Sequence, residues 1–516
     1  MDKPDEKGET SRRSFLKGIA AMPVLALAGG KGLTGNESDR FPHELTGEAP
    51  RAGAPAIRKK FVAIQIGARS FVDEGVKKCL DTLQEKGGVN TVMATVFTYG
   101  RGLAGRGQPL ADHGVQEIDT IHGGSFTRVH TEFYARSVIQ DIRAPELGEF
   151  DVLADVLPEA KKRGLQTYAL FEEAYNPRLM PNFEKIAEVD ISGKVGGSTC
   201  LNNPDARTFL TAMVTDWVSS NDLDGLMWES ERQGPLNNTI GAHFGRSTGN
   251  TFINCFCPYC VRKGSERGID VPRARAGYLA LDGWVKSTRN QPPEYHDNFV
   301  TLWRLLLEYP EIMAWEKFWF QSQEEVYALL YGTAKKINPR IQVGWHIMHL
   351  VTMSPFFRAE QDFSRLAHAA DFIKPCTYNN CGGPRFAQYI RNVQPTIFRD
   401  STPEEVLELH YKILGLEGEA NLDKLPTAGL SADSVGRETR RAIREVHGAV
   451  PIYPGIDIDI PTAPTEKRTQ PSDVKAAVLA AFKAGAPGVV LSRKYAEMNL
   501  MNLSGAGEAL RELGFV

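Results

Sequence analysis

The feature that most constrains this chain is a regular alternation of short apolar runs with segments that favour helices. The runs are rich in β-branched and aromatic residues, which is typical of buried strands. Most runs are followed by a helical segment, so we expect parallel crossovers rather than hairpins. The predicted strands are Phe61–Gly67, Val89–Phe97, Gln166–Phe171, Leu223–Trp228, Ile341–His346, Asp371–Tyr378, Ala449–Ile456 and Gly488–Leu491.

Eight parallel strands are the number that closes a barrel. We therefore predict an α/β fold, a (β/α)8 TIM barrel forming a single domain over residues 58–516. Long insertions after strands 2 and 4, at about 100–150 and about 261–337 (the latter mostly helical), account for much of the length. The alternative is an open doubly wound sheet, which would need a glycine-rich phosphate loop after its first strand. The residues Ile66–Ser70 lack that fingerprint.

The N-terminal segment Ser11–Lys17, with sequence SRRSFLK, resembles the twin-arginine export motif. The apolar run Ile19–Ala28 that follows is too short to span a bilayer of about 30 Å, and it ends in Ala-Leu-Ala, which fits a signal cleavage site. We therefore predict a signal peptide at 1–28, a linker at 29–57, and periplasmic or extracellular localisation. No later stretch is long and apolar enough to predict a membrane span.

The formal net charge of −3 gives no reason to expect nucleic acid or an anionic membrane as a partner. An apolar content of 42 % is ordinary for a soluble globular protein. The sequence leaves the oligomeric state open.

The stretch Leu223–Cys260 combines acidic residues with a cluster of cysteines. Its strand leads into Glu229 and Glu231, which project to the same side if strand geometry persists, because they stand two residues apart. Cys255, Cys257 and Cys260 follow, and clustered cysteines of this spacing can supply several thiolate ligands from one loop.

Polar and aromatic residues also lie at or just after the ends of the other predicted strands, and barrel active sites lie at those carboxyl ends. Such residues suit a carbohydrate substrate, because aromatic faces stack on sugars and hydrolysis of a glycosidic bond needs two carboxyl groups. We predict Glu231, Glu229 and Asp457 as catalytic residues. The predicted substrate-binding residues are Glu173, His346, Trp345, Lys374, Tyr378, Asp459, Arg493 and, in the first insertion, His130.

A family resemblance rests on three features in order: CLNNPDAR from Cys200, the strand with Trp228, and CFCPYC from Cys255 to Cys260. This order resembles the bacterial β-galactosidases of the large retaining TIM-barrel clan, and also exported proteins described as glycoside hydrolases. The resemblance implies that Glu231 is the acid/base. It also implies that Cys200, Cys255, Cys257 and Cys260 bind a structural zinc ion.

The chain departs from that pattern at two places. Serine at 230 replaces the asparagine that precedes the acid/base, and the seventh strand offers Asp457 and Asp459 where the clan places a glutamate nucleophile. The resemblance therefore implies sugar-active chemistry in general rather than β-galactosidase activity.

Other interpretations stay open at the level of sequence. The cysteines could form disulfides or remain free thiols, and the two glutamates could pair with Arg232 merely to close the strand. The reaction could be a sugar elimination or epimerisation with His346 or Tyr378 as base. The barrel could also bind glycan without catalysis.

Overall fold

The computed structural model describes residues 60–99, 111–115, 123–140, 142–173, 180–245, 251–288 and 297–516. The predicted signal peptide and linker lie outside these ranges. In the described ranges, no helix is both long enough and apolar enough to cross a membrane.

Within these residues, eight parallel strands form the central sheet, hydrogen-bonded in the order β7-β8-β1-β2-β3-β4-β5-β6. Two isolated parallel bridges, Ile373 to Ile452 and Cys376 to Gly455, connect β6 to the β7 segment and nearly close the ring. The predicted (β/α)8 barrel is confirmed, and the open doubly wound sheet is wrong. The strands are β1 Phe61–Ile66, β2 Thr91–Thr98, β3 Gln166–Glu172, β4 Gly225–Glu229, β5 Gln342–Ile347, β6 Phe372–Pro375, β7 Gly455–Asp457 and β8 Gly488–Ser492.

The strands are buried on both faces, which is why they read as nearly continuous apolar runs. The inner face carries a separate cluster of bulky side chains, and glycines make room for two of them. A Cβ at Gly225 would lie 2.4 Å from the Tyr168 ring, and one at Gly344 would lie 2.2 Å from the Phe372 ring. The inner cluster consists of Phe61, Ala63, Met93, Tyr168, Leu170, Met227, Phe372, Tyr453 and Val490.

Residues two positions apart on a strand share a face, so the inner cluster shows which polar residues point toward the barrel axis. Gln65 follows Ala63 on β1, Glu229 follows Met227 on β4, and Lys374 follows Phe372 on β6. These positions are the last inward-facing ones before the strands end, so their side chains meet near the carboxyl-end opening of the barrel.

Helices cover the outside of the barrel and fill the insertions. They are α1 Ala68–Glu74, α2 Val76–Gly87, α3 Val152–Lys162, α4 Pro204–Ser220, α5 Pro235–Thr239, α6 Pro258–Glu266, α7 Val271–Thr288, α8 Asn298–Glu308, α9 Glu311–Ile337, α10 Pro355–Glu360, α11 Phe363–Leu366, α12 Gly382–Val393, α13 Pro403–Leu414, α14 Leu425–Ala428, α15 Ala432–Glu445, α16 Pro471–Lys483 and α17 Leu500–Glu512. Short 3-10 helices span Ala111–His113, Thr131–Tyr134, Pro145–Leu147, Phe183–Lys185, His349–Thr352, Ala367–Ala369 and Tyr495–Glu497. Outside the barrel strands, Gly124–Ser125 pairs with the end of β2, and Ala187–Val189 pairs with Val195–Thr199.

Both predicted insertions are present, and a third follows β6. Helices α5 to α9 separate β4 from β5, and α9 packs against α4 on the outside of the barrel. Between β6 and α15, helices α12 to α14 form the unpredicted insertion. The sequence does not distinguish it from an ordinary crossover, because α13 begins with a regular capping box of Thr402 and Glu405.

Candidate active site at the carboxyl ends of the strands

Glu229 and Glu231 lie at the end of β4, but at different depths. Glu229 is the last residue of the strand and is only 1 % exposed. Its Oε2 accepts a hydrogen bond of 2.7 Å from Nε2 of Gln65 on β1. Glu231 lies beyond the strand, and its side chain is 18 % exposed. Glu231 is therefore the carboxylate that solvent or a ligand reaches first.

His346 on β5 connects the two glutamates. Its Nε2 lies 3.3 Å from Glu231 Oε1 and 3.3 Å from Cys376 Sγ, and its Nδ1 lies 3.5 Å from Glu229 Oε2. Lys374 Nζ lies 3.0 Å from Nδ1. Because an ammonium group only donates, Nδ1 is the acceptor of this bond and the ring proton is on Nε2. His346 therefore donates toward Glu231.

Lys374 is completely buried, and its three N–H groups all have acceptors. They point to Gln65 Oε1 at 3.2 Å, His346 Nδ1 at 3.0 Å and Tyr378 Oη at 2.8 Å. Gln65 Oε1 also accepts from Ser492 Oγ at 2.8 Å. A buried charge is tolerated when its hydrogen bonds are satisfied, so this network orders side chains from β1, β5, β6 and β8 around Glu229.

The surroundings shift the pKa values of the two glutamates in opposite directions. Burial raises the pKa of Glu229, although nearby positive charges act against it. Burial alone would also raise the pKa of Glu231, but the hydrogen bond from His346 lowers it. The positive charges of Arg385 and Arg493 lower the pKa of Glu231 further. Two carboxyl groups whose pKa values differ in this way can serve as an acid and a base at the same pH.

Two arginines lie around Glu231 at the carboxyl-end opening. Arg385, in the first turn of α12, donates from Nη1 to His349 Nδ1 at 3.1 Å, and its guanidinium carbon lies 4.7 Å from the centre of the Phe244 ring. Arg493 forms a two-pronged ion pair with Glu497, with Nε to Oε2 at 2.9 Å and a second bond from Nη2. We call the partly exposed side chains Glu231, Phe244, Arg385 and Arg493 the mouth of the barrel.

The carboxylate of Asp457, which the sequence predicts to be catalytic, accepts hydrogen bonds mainly from backbone N–H groups. Its Oδ2 accepts from the N–H of Cys381 at 2.9 Å, which caps the N-terminus of α12. Its Oδ1 accepts from the N–H groups of Asp459 at 3.1 Å and Ile460 at 3.0 Å, and from Thr469 Oγ1 at 3.2 Å. These contacts are typical of a carboxylate that fixes two loops. The catalytic role of Asp457 stays a prediction.

Asp459 also has protein partners. Its carboxylate pairs with Arg468 at 3.1 Å and accepts from Asn499 Nδ2 at 3.1 Å. Its φ of 135° is unusual for a residue with a side chain, so the loop after β7 is held in a conformation that its contacts must maintain. A substrate contact from Asp459 stays a prediction.

Glu172 and Glu173 point to different faces, as their neighbouring positions predict. Glu172 lies beside Glu229 in the sheet register. Glu173 instead accepts from Arg232 Nη1 at 2.9 Å and from the hydroxyl and N–H of Thr199. Burial raises the pKa of Glu173 to about 7. Glu173, predicted to bind substrate, therefore belongs to a separate buried group.

Two other predicted substrate-binding residues lie away from the mouth. Trp345 points to the outer face of β5, is 1 % exposed, stacks on Tyr327 at 4.5 Å and donates to the carbonyl of Ala369. This corrects the prediction, since the ring is part of the packing between barrel and helices. His130 pairs with Asp216 at 2.6 Å, near the end of α4 that leads into the start of β4. It therefore lies toward the opposite end of the barrel.

The four predicted metal ligands come together in one buried cluster. The sulfur atoms of Cys200, Cys255, Cys257 and Cys260 all lie within 4.8 Å of one another, with Cys200 at 3.3 Å from Cys257 and 3.5 Å from Cys260. All four are free thiols. Tetrahedral zinc with Zn–S bonds of about 2.3 Å needs sulfurs slightly less than about 4 Å apart. The cluster therefore has the ligand types and spacing that a metal ion requires.

A buried charged group lies between this cluster and the end of β4. Arg232 lies 3.4 Å from Glu188, whose carboxylate accepts from Asn254 at 3.0 Å and from Trp319 at 3.2 Å. Asn254 immediately precedes Cys255. The loop that carries three of the cysteines is therefore connected to the residue next to Glu231.

A second group with suitable ligand atoms consists of Glu229, Glu231 and His346, whose ligand atoms also lie within 4.8 Å of one another. Lys374 already donates to one nitrogen of His346, and Arg385 adds positive charge beside Glu231. These cations disfavour a metal ion there, so we interpret this group as an acid/base site.

Sequence reasoning brought Glu229, Glu231, His346, Lys374 and Tyr378 to one place, and the structure does the same. It missed Gln65 and Arg385. A polar residue at an inward position of the apolar run FVAIQI could have indicated Gln65. Arg385 follows Gly-Gly-Pro in the third insertion, where no sequence signal indicates that it turns back over the barrel.

No protein-family pattern matches this sequence, and no curated protein matches it. Solved structures that are similar in fold include α-L-fucosidase isoenzyme 2 from Paenibacillus thiaminolyticus (11 % identity, TM-score 0.46, covering 88 % of this chain and 49 % of that one). They also include a β-galactosidase from Halorubrum lacusprofundi (14 %, TM-score 0.48, covering 88 % and 58 %). A third is the catalytic domain of β-amylase from Paenibacillus polymyxa (12 %, TM-score 0.46, covering 88 % and 97 %). This chain thus spans about half the length of the first two. At 11–14 % identity, these likenesses concern the arrangement of strands and helices alone.

Proposed function

We propose that this protein is a carbohydrate-active enzyme that hydrolyses a glycosidic bond at the mouth of the barrel. The observation that carries the proposal is the pair Glu229 and Glu231, whose pKa values shift in opposite directions while their carboxyl oxygens lie within 4.8 Å. Glycoside hydrolysis needs one protonated and one ionised carboxyl group. This separation is shorter than the roughly 6.5–9.5 Å of inverting enzymes, so we expect retention of configuration.

The charges around the pair assign their roles. Glu231 is kept ionised by His346 and Arg385, which suits a nucleophile or base. Burial raises the pKa of Glu229, which favours its protonated form and suits a proton donor. This differs from the resemblance, which implies that Glu231 is the acid/base, and the difference makes the roles testable.

The experiment compares E231Q, E229Q and the control E266Q against a panel of aryl glycosides. Glu266 is an exposed residue of α6 paired only at 3.9 Å with Arg262, so its variant should behave as wild type. We expect turnover to fall by about 10²–10⁴-fold in the first two variants. Unchanged turnover in both would refute the proposal.

Azide rescue of E231A separates the two roles of Glu231. If Glu231 is the nucleophile, azide attacks the anomeric carbon from the vacated side and the glycosyl azide has inverted configuration. An azide product with retained configuration would show that Glu231 is the acid/base instead.

The same geometry argues against elimination with Tyr378 as base. Burial raises the pKa of Tyr378 well above its usual range, so its hydroxyl does not ionise easily. Tyr378 Oη also accepts a hydrogen bond from Lys374, so we assign the hydroxyl the role of orienting the lysine side chain.

We also propose that Cys200, Cys255, Cys257 and Cys260 bind zinc. A closed site of four thiolates would be structural and would stabilise the loop beside Glu231. Metal analysis of purified protein should find about one zinc per chain, and C257S should lose it. The control C79S, at a buried thiol far from the cluster in sequence, should keep it. A C257S variant with full zinc content would contradict the assignment.

We propose that the chain is exported by the twin-arginine route to the periplasm or cell exterior. The support is the motif around Arg12 and Arg13. Replacing both with lysine should retain the protein in the cytoplasm in a fractionation assay, whereas R40K should not. Export of the double variant at the normal level would refute this proposal.

A further inference from the structure

Among the described residues, no carboxylate forms an ion pair with Arg385 within 4.0 Å, and the negative charge of Glu231 acts on it without such a contact. Arg385 Nη1 donates to the neutral ring of His349, whose pKa burial lowers well below its usual range. Its guanidinium lies over the Phe244 ring, and the ion pairs of up to 4.0 Å among the described residues do not include it. Arg493, by contrast, is neutralised by Glu497.

The protein holds Arg385 firmly in this position. Asp457 accepts from the N–H of Cys381 and so fixes the first turn of α12. Gly383 lies so close to the backbone of α14 that a Cβ there would be 2.2 Å from the carbonyl oxygen of Leu425. A long cationic side chain costs conformational entropy when it is ordered, so a fixed position of this kind is typical of a binding residue.

The remaining donors of Arg385 are open to a ligand. Arg385 is partly exposed at the mouth, and its hydrogen bond to His349 uses only Nη1. A guanidinium offers two parallel N–H groups that match a carboxylate or a sulfate, and the Phe244 ring below it limits water access. Since Arg385 also lowers the pKa of Glu231, the anion it binds would lie next to the ionised catalytic carboxylate.

We propose that Arg385 binds an anionic substituent of the sugar, so that the substrate class is acidic glycans bearing carboxylate or sulfate groups. This inference rests on the proposed glycoside hydrolysis. It assigns Arg385 a direct contact with substrate, and it explains why positive charge is left over at the mouth of a barrel that must also hold Glu231 ionised.

The test measures binding in the E231Q background by calorimetry, so that it does not depend on turnover. The probes are methyl glucuronides and galacturonides, the matching neutral methyl glycosides, and their 6-sulfates. We expect the anionic probes to bind more tightly than the neutral ones. R385Q should weaken anionic binding by about 10- to 100-fold, with little effect on the neutral probes. The affinity of R385K for the anionic probes should lie between those of the unsubstituted Arg385 protein and R385Q, because lysine keeps the positive charge but lacks the planar guanidinium fork.

R273Q is the matched control, because Arg273 also lies over an aromatic ring, Tyr309, but is on the exposed face of α7. It should leave every affinity unchanged. Equal affinity for anionic and neutral probes, or an equal loss for both in R385Q, would overturn the inference. A preference for carboxylate over sulfate, or the reverse, identifies which group the substrate carries.

The result also separates this inference from the proposed function. Selective anion binding that depends on Arg385, in a protein that hydrolyses no glycoside, supports the anion site and refutes hydrolysis. Hydrolysis of neutral glycosides without any anionic preference refutes the anion site and leaves hydrolysis standing. In turnover assays with Glu231 intact, a shift in the pH profile of R385Q that is equal for anionic and neutral glycosides would reduce Arg385 to a residue that only tunes Glu231.

Discussion

Replacing Asp457 distinguishes a residue that positions loops from one that performs chemistry. The buried carboxylate accepts from the N–H groups of Cys381, Asp459 and Ile460 and from the hydroxyl of Thr469. Alanine leaves all of these donors without an acceptor. Each unsatisfied buried donor costs about 1–3 kcal/mol, and water entering the vacated space recovers part of it, so we expect D457A to lose on the order of 4 kcal/mol.

Two milder variants give a graded series. D457N keeps one acceptor oxygen but sets its amide NH2 against the N–H of Cys381, so we expect a loss of about 2 kcal/mol. T469V removes a single hydroxyl donor and should cost about 1 kcal/mol. Urea midpoints of the three variants, measured with wild type in the same buffer, should follow this order.

Activity measured on the same samples completes the test. If Asp457 only positions α12, D457N should keep measurable turnover, with its loss mainly in KM through displaced Arg385. A D457N protein as stable as wild type but without turnover would refute this reasoning and restore Asp457 as the second catalytic carboxylate. A D457A midpoint equal to that of wild type would refute the energetic argument.

Three further predictions concern other parts of the molecule. Burial raises the pKa of Glu316 from 4.5 to about 7. The contribution of Glu316 to stability is therefore fully present below about pH 4.5 and is lost as the pH rises through about 7. In E316Q, urea midpoints measured across this pH range should decline less than in wild type. G383A should destabilise by about 2–3 kcal/mol in urea unfolding, because its Cβ meets the carbonyl of Leu425; an unchanged midpoint would contradict the packing. K374M removes a positive charge that lowers the pKa of Glu229, so the pH profile of turnover should shift upward; an unchanged profile would exclude Glu229 as the titrating acid.

Local patterns along the chain are enough to predict the barrel and the inner part of the site. Strand periodicity places Glu229 and Lys374 on the inner face, and a closed parallel sheet brings its carboxyl ends together. Local spacing likewise indicated Cys255, Cys257 and Cys260 as a group of ligands, whereas Cys200, 55 residues earlier, was assigned through the family resemblance. These features follow from local patterns, which a single chain displays directly.

Local patterns do not show which side chains complete the mouth and which pack between the barrel and the helices; the three-dimensional structure is needed for that. Trp345 and Glu173 lie near the ends of strands as the site residues do, yet Trp345 packs against α9 and Glu173 pairs with Arg232. Arg385 reaches the mouth through an insertion that the sequence does not distinguish from a crossover. The physical reason is that the position of each of these side chains depends on contacts between segments distant in the chain. The hydrogen bond from the N–H of Cys381 to Asp457 is one such contact.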